Sequence, residues 1–320
     1  ADAVVSARKG NNTVVVTPTA SGKTLCYTIP VLQSILEDNE SRALYIFPTK
    51  ALSQDQVTEL QDYITRMQVD IKTFTFDGDT PVSARRAIRK AGHVVVTNPD
   101  MLHQGIMPHH TKWVKLFENL KYIVIDEVHT YRGVFGSHFA NLMRRLKRIC
   151  AFYSADPRFI GCSATIANPQ QLFEKLIDGK AELINNNGAP RGEKHIIFYN
   201  PPVVNHELGI RKSSVKEARS IAARFIRSGV QTIVFARSRV RVEILLTYLR
   251  DVMRKIKKSP QLVKGYRGGY LPNQRRSIEK GLREGSIQAV VSTNALELGI
   301  DIGRLSAAVM AGYPGTIAST

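Results

Sequence analysis

A short run of β-branched residues, Val14-Val15-Val16, leads into a loop of small residues and then a basic helix start, Gly22-Lys23-Thr24. This order, buried strand to small-residue loop to helix, narrows the choice of fold more than any other stretch. It places free N–H groups and the positive end of a helix dipole at the tip of a strand, an arrangement suited to phosphate. Small side chains let the backbone approach an anion closely. Lys23 is expected to neutralise β- and γ-phosphates, and the Thr24 hydroxyl to take one Mg²⁺ position. Thr17 stands where the strict phosphate-loop pattern has its first glycine, so the loop Thr17, Thr19, Ala20, Ser21 and Gly22 is a relaxed version of that pattern.

A second polar constellation follows another apolar run. Tyr122-Ile123-Val124-Ile125 ends in Asp126 and Glu127. Burying unpaired charge is costly, so both carboxylates are expected at the exposed tip of a strand beside a cation. Asp126 suits a Mg²⁺ partner and Glu127 suits activation of a water molecule. Both constellations fall on one expected sheet edge, because apolar runs alternate with helical patterns throughout the first half. Strands are expected at Thr13–Thr17, Ala43–Phe47, Lys72–Phe76, His93–Thr97, Tyr122–Asp126 and Arg158–Ser163, with helices such as Ala51–Arg66 and Ser137–Cys150. Such alternation predicts an α/β fold with a mostly parallel sheet covered by helices, its strand C-termini and their loops along one edge.

The polar segment Asn185–Gly192 reads as a linker, giving domains at 1–188 and 189–320. Beyond it strands are expected at His195–Tyr199, Gln231–Ala236, Leu262–Gly265, Gln288–Ser292 and Ala307–Ala311. Helices are expected at Val215–Arg227, Val240–Arg254 and Asn273–Arg283. The two halves differ in charge. Residues 1–190 hold 22 Lys/Arg against 18 Asp/Glu, and residues 191–320 hold 23 against 9, so +14 of the net +18 lies in the second half. That excess implies an anionic partner, nucleic acid before an anionic membrane, since no basic amphipathic helix with an aromatic face stands out. Cys26, Cys150 and Cys162 are widely spaced, read as thiols in a reducing compartment, and are not expected to build a metal site. The single tryptophan, Trp113, is expected to pack within a helix, and the cluster Arg144, Arg145, Lys147 and Arg148 to face water.

Seven segments, in chain order, resemble motifs of the superfamily-two helicases of the DEAD/DExH type. Thr19–Thr24 resembles motif I, Pro48–Leu52 motif Ia, Thr97–Met101 motif Ib, and Asp126–His129 a DEVH form of motif II. Ser163-Ala164-Thr165 resembles motif III, Thr232–Ser238 motif IV and Val291–Asp301 motif V. The octapeptide Thr17–Thr24, with Tyr131–His138 and Gly265–Tyr270, looks typical of a bacterial DNA-repair branch of that family.

The resemblance implies two tandem RecA-like domains and an ATP- and Mg²⁺-dependent helicase, stimulated by single-stranded DNA and moving 3′ to 5′ in DNA repair. It implies ATP contacts from Glu297, Gly299 and Asp301 as well as from the phosphate loop. His129, Ser163 and Thr165 would couple hydrolysis to movement. Thr49, Lys50, Thr97, Arg237, Ser238, Thr293 and Asn294 would touch the DNA backbone. Single-stranded or tailed duplex DNA is the implied partner, and the bacterial cytoplasm, at the nucleoid, the implied place. A motif VI with its arginine finger and a cysteine-rich zinc region are expected C-terminal to residue 320. An RNA helicase of the same superfamily, and a nucleic-acid-binding scaffold with an inactive ATPase, stay open as alternatives.

Overall fold

The computed structural model describes residues 1–17, 21–164, 166–188, 192–293 and 305–313. The chain divides into two compact units, Ala1–Arg191 and Gly192–Thr320. The first is built on strands β1 (Thr13–Val16), β2 (Arg42–Ile46), β3 (Thr73–Thr75), β4 (Val94–Thr97), β5 (Leu120–Ile125), β6 (Arg158–Ser163) and β7 (Glu182–Ile184). They form one sheet in the order β3-β4-β2-β5-β6-β1-β7, and every pairing is parallel.

The near-continuous apolar runs follow from burial on both faces. Every residue of β1, β2 and β4 is buried. On one face Val14, Leu44, Ile46, Ile123 and Ile125 share a core with Phe139, Leu142 and Leu146 of the helix Gly133–Phe152. The alternate residue Tyr45 meets the ring of Tyr27, on the helix Lys23–Glu37, edge to face at 5.3 Å. Helices thus cover both faces, as a period-2 strand pattern between amphipathic helices requires.

The second unit carries strands β10 (Thr232–Ala236), β11 (Val263–Tyr266), β12 (Ala289–Ser292) and β13 (Ala307–Ala311), all parallel in the order β11-β12-β10-β13. Val234 and Ala236 of β10 pack with Val242, Leu245 and Leu249 of the helix Arg239–Lys255. Ile233 of the same strand packs with Ile278 and Leu282 of the helix Pro272–Arg283 on the other side. Among the described residues no helix is long and apolar enough to cross a membrane.

Four expectations are corrected or refined. His195–Tyr199 forms no strand: Ile197 is 82% and Phe198 92% exposed, and the segment joins no ladder. Instead a short hairpin of β8 (Val203–Asn205) and β9 (Ile210–Arg211) follows it. β7, absent from the expected strands, is a three-residue edge strand on β1. Trp113 is buried, as expected of a packing residue, but sits between a 3₁₀ turn and the helix Val114–Glu118 rather than inside a helix, with its ring 4.7 Å from Phe76. Three of the clustered cations, while still on the exposed surface, also have protein partners: Arg144 bonds Asp178 Oδ2, Arg145 bonds His103 Nδ1, and Lys147 bonds the Asp178 carbonyl.

Candidate nucleotide and nucleic-acid site

Register places the first constellations together. Val16 at the end of β1 pairs with Ser163 at the end of β6, and Ile125 at the end of β5 pairs with Gly161 of β6. Ile46 at the end of β2 pairs with Ile125 on one side and Thr97 on the other. The segments after β1, β2, β4, β5 and β6 therefore leave the sheet along one edge.

At that edge Gly22 precedes the helix Lys23–Glu37 with φ 76° and ψ 27°. A Cβ there would meet no heavy atom within 4 Å, so conformation rather than space asks for glycine. The Thr17 and Ser21 hydroxyls are hydrogen-bonded to each other, and Lys23 Nζ donates to the Thr17 carbonyl at 2.9 Å. Thr19 and Ala20 lie outside the described residues.

Asp126 and Glu127 follow β5. The Glu127 N–H donates to Asp126 Oδ1 at 2.7 Å, and the Tyr27 hydroxyl lies 3.3 Å from Asp126 Oδ2. Burial pushes the Asp126 carboxyl up, opposed by the Glu127 N–H, Lys23 and Tyr27. Glu127 is pushed up to about 7, first by burial and then by the Asp126 charge, with Lys23 again opposing. Lys23 acts on both carboxylates, so phosphate loop and acidic strand end form one electrostatic unit. Glu127 has φ 50° and ψ 46°, a left-handed backbone that a side chain with a Cβ adopts at a cost of about 1 kcal/mol.

His129 Nδ1 is 3.3 Å from Glu127 Oε2 and accepts the Ala164 N–H at 3.4 Å. Burial, then Lys23 and Arg132, lower its pKa, so the ring is neutral near pH 7. The same ring nitrogen thus stands within reach of both the acidic site and the segment after β6. There Ser163 is fully buried, its hydroxyl donating to the Ala164 carbonyl at 2.8 Å, and Thr165 lies outside the described residues.

The residues expected to meet DNA divide by exposure. The Thr49 hydroxyl caps the helix Lys50–Met67 by accepting the Leu52 N–H, and Lys50 Nζ pairs with Asp79 Oδ2 at 3.0 Å on the surface. Thr97 departs from expectation. It is fully buried, and its hydroxyl donates to the Phe76 carbonyl at 2.8 Å, so no free hydroxyl faces outward. In the second unit Arg237 and Ser238 are exposed at the end of β10, where Ser238 Oγ accepts the Arg241 N–H and caps the next helix. Thr293 is half-buried, and Ser292 Oγ donates to its carbonyl. Asn294, Glu297, Gly299 and Asp301 lie outside the described residues.

Two residues that support the site from behind escaped the sequence reading. Tyr27 is fully buried with its hydroxyl on Asp126, and Gln56 accepts that same hydroxyl at 2.9 Å. The position of Tyr27 one helical turn after Thr24 was the available signal.

A seven-stranded parallel sheet with a small-residue loop and helix start, an Asp-Glu pair and a histidine along one edge has the arrangement of a RecA-like domain. Residues 1–172 match the DEAD/DEAH box helicase family and residues 216–320 match the helicase conserved C-terminal domain; the chain belongs to the DEAD/DEAH box helicases. It is 63% identical over 312 residues to the ATP-dependent helicase YprA of Bacillus subtilis, which covers 98% of this chain and 42% of that protein. It is 41% identical over 327 residues to the ATP-dependent helicase hrq1 of Schizosaccharomyces pombe, covering all of this chain and 31% of that one. The crystal structure of the DUF1998 helicase MrfA bound to DNA and AMPPNP superposes with a TM-score of 0.95 at 62% identity, over 99% of this chain and 44% of that one. The chain thus spans less than half the length of these relatives.

Proposed function

We propose that the protein is an ATP-driven DNA helicase or translocase that moves 3′ to 5′ on single-stranded DNA, is stimulated by it, and serves DNA repair. The meeting of the Gly22-Lys23 helix start with the Asp126-Glu127 strand end along one edge of the sheet supports the ATP-driven part of this reading, because it sets a phosphate-binding helix start beside a water-activating carboxylate. Its relatives include a helicase solved with DNA and AMPPNP.

In this reading the N–H groups at the start of the helix Lys23–Glu37, with Ser21, Gly22 and Lys23, hold the β- and γ-phosphates. Thr24 and the Asp126 carboxylate offer hard oxygen donors of the kind Mg²⁺ takes, and the buried, partly compensated Asp126 suits a cation beside it. Bound there, the metal would neutralise charge developing on the phosphates. Glu127, once ionised, accepts a proton from the attacking water. His129 conveys a change at Glu127 to the backbone at Ala164. Thr49, Lys50, Arg237, Ser238 and Thr293 contact the sugar-phosphate backbone, which gives weak sequence preference. The excess of positive charge in residues 191–320 supports a polyanion as partner.

The test is ATP hydrolysis and unwinding on tailed duplexes of both polarities, in DNA and in RNA. Unwinding of 3′-tailed DNA with hydrolysis raised by single-stranded DNA is expected. Stimulation by RNA alone, or hydrolysis indifferent to nucleic acid, would overturn the proposal.

A further inference from the structure

The Tyr27 hydroxyl stands between two acceptors on different elements. It lies 2.9 Å from Gln56 Oε1, on the helix Lys50–Met67, and 3.3 Å from Asp126 Oδ2, at the end of β5. A phenol carries one proton, so it cannot serve both acceptors fully at once. The competition is sharp because the ring is fully buried, where water offers no substitute partner. Asp126 Oδ1 already accepts the Glu127 N–H, which leaves Oδ2 as the oxygen that Tyr27 serves. Thr24 is hydrogen-bonded to the same tyrosine, so two groups of the proposed nucleotide site converge on it.

The ring itself is fixed. It packs edge to face on Tyr45 of β2, the strand that leads to Thr49. Rotation of the O–H bond is the freedom that remains. On the other side Gln56 is tied along its own helix: Gln56 Nε2 donates to Glu59 Oε2, and the Tyr63 hydroxyl donates to Glu59 Oε1. That helix begins at Lys50, with Thr49 as its cap. Three elements that carry the proposed ATP and DNA contacts therefore meet at one proton.

We propose that Tyr27 and Gln56 form a positioning pair that passes the state of the nucleotide site to the helix Lys50–Met67, so that the grip of Thr49 and Lys50 on DNA depends on bound nucleotide. This rests on the function proposed above. When Asp126 is compensated by groups arriving at the nucleotide site, it competes less for the Tyr27 proton. The proton then turns to Gln56 and holds the helix in place. When Asp126 lacks that compensation, the proton is drawn back and the helix loses a part-buried tie. Linkage makes the effect reciprocal: whatever nucleotide does to DNA affinity, DNA does to nucleotide affinity.

The experiment measures affinity for a fluorescent single-stranded oligonucleotide by anisotropy, with and without AMPPNP and Mg²⁺. The protein is taken as wild type, Gln56→Leu, Tyr27→Phe and the double variant. The wild type is expected to show a nucleotide effect of about fivefold or more, the lower end of ordinary allosteric coupling. Gln56→Leu keeps its nucleotide affinity without DNA and its DNA affinity without nucleotide within about twofold, while the nucleotide effect shrinks to about twofold or less. Tyr27→Phe loses the effect as well, and the double variant loses no more than either single, as for two ends of one interaction. A wild-type nucleotide effect retained in Gln56→Leu overturns the pair while leaving the helicase reading intact, even if Tyr27→Phe fails to fold. A wild type whose DNA affinity ignores nucleotide overturns both.

Discussion

The sheet edge of the first unit and the basic surface of the second illustrate two ways of handling charge. In the first, a few ionisable groups are buried against one another: Asp126, Glu127 and His129 are all shifted by burial, and Lys23 acts on all three. In the second, the surplus of cations sits at exposed positions such as Arg237, Arg239 and Arg241, with local pairs such as Arg267–Glu243 at 2.8 Å. Low dielectric makes each buried charge costly and strongly coupled, whereas water and salt screen the exposed ones. The first arrangement suits chemistry at one point. The second suits a diffuse hold on a polyanion. Single substitutions should therefore act steeply in the first unit and shallowly in the second.

The steepest expected effect is at Lys23. Lys23→Ala removes a side-chain cation shared by the phosphate loop and both carboxylates, so ATP turnover falls by about 10²–10³-fold or more. Steady-state phosphate release measures it, and near-normal turnover would end the assignment of the phosphate loop. Glu127→Gln comes next, lowering turnover by roughly 10²–10⁴-fold while ATP still binds. Because Glu127 is pushed up to about 7, wild-type kcat/KM should rise with pH through that value, and the variant should lose this limb.

The same shift makes a claim about stability. A folded pKa above the unfolded one means that the folded state binds the extra proton. That stabilisation is complete below the unfolded value near 4.5 and is lost as pH rises through about 7. At pH 8 Glu127→Gln should thus raise the stability of the nucleotide-free protein by about 1–3 kcal/mol, and at pH 4 leave it nearly unchanged. Thermal melts at the two pH values decide. Equal melting shifts at both would mean that the Glu127 carboxylate is not held at a cost.

What the sequence disclosed follows the same division between local and long-range features. The strands that bear the motifs were legible because buried parallel strands must be continuous apolar runs, and the glycine at 22 because its backbone demands it. The two-layer helix covering was legible from the period of residues such as Val242, Leu245, Leu246 and Leu249. His195–Tyr199 misled for a related reason: its composition suits a strand, but strand formation needs a ladder partner, which composition does not encode. β7 and the β8–β9 hairpin are too short to give a periodic signal. The meeting of Tyr27 with Gln56 and Asp126 spans 29 and 99 residues of chain, and only the sheet order brings them together. The Lys50–Asp79 pair was hidden likewise, since each residue alone reads as a solvated charge.

For the exposed cations, smaller and salt-dependent effects are expected. Arg237→Ala should weaken binding to single-stranded DNA several-fold and lower the slope of log affinity against log salt by about 0.7, as for one phosphate contact on a single strand. Lys50→Ala should cost less than Arg237→Ala, because Lys50 must leave Asp79 to reach a phosphate. Titrations at three salt concentrations measure both. An unchanged slope in both variants would remove these side chains from the DNA path and leave the second unit's charge without its proposed role.

Thr97 gives the smallest functional effect and the clearest contrast between motif and structure. The helicase resemblance puts it on DNA, while the structure buries it and commits its hydroxyl to the Phe76 carbonyl at 2.8 Å. Thr97→Val keeps the shape and removes the donor. If the hydroxyl is structural, DNA affinity should stay within about twofold, while stability falls by about 1–2 kcal/mol as a buried carbonyl loses its partner. Loss of DNA affinity with an unchanged melting temperature would instead require β4 to expose Thr97 when DNA binds. Gly92 and Asn98, which flank that strand, would then be the places where the backbone moves. The buried Phe76–Thr97 bond argues against that movement: opening it would strand a carbonyl in the core beside Trp113, whose ring packs on Phe76 at 4.7 Å.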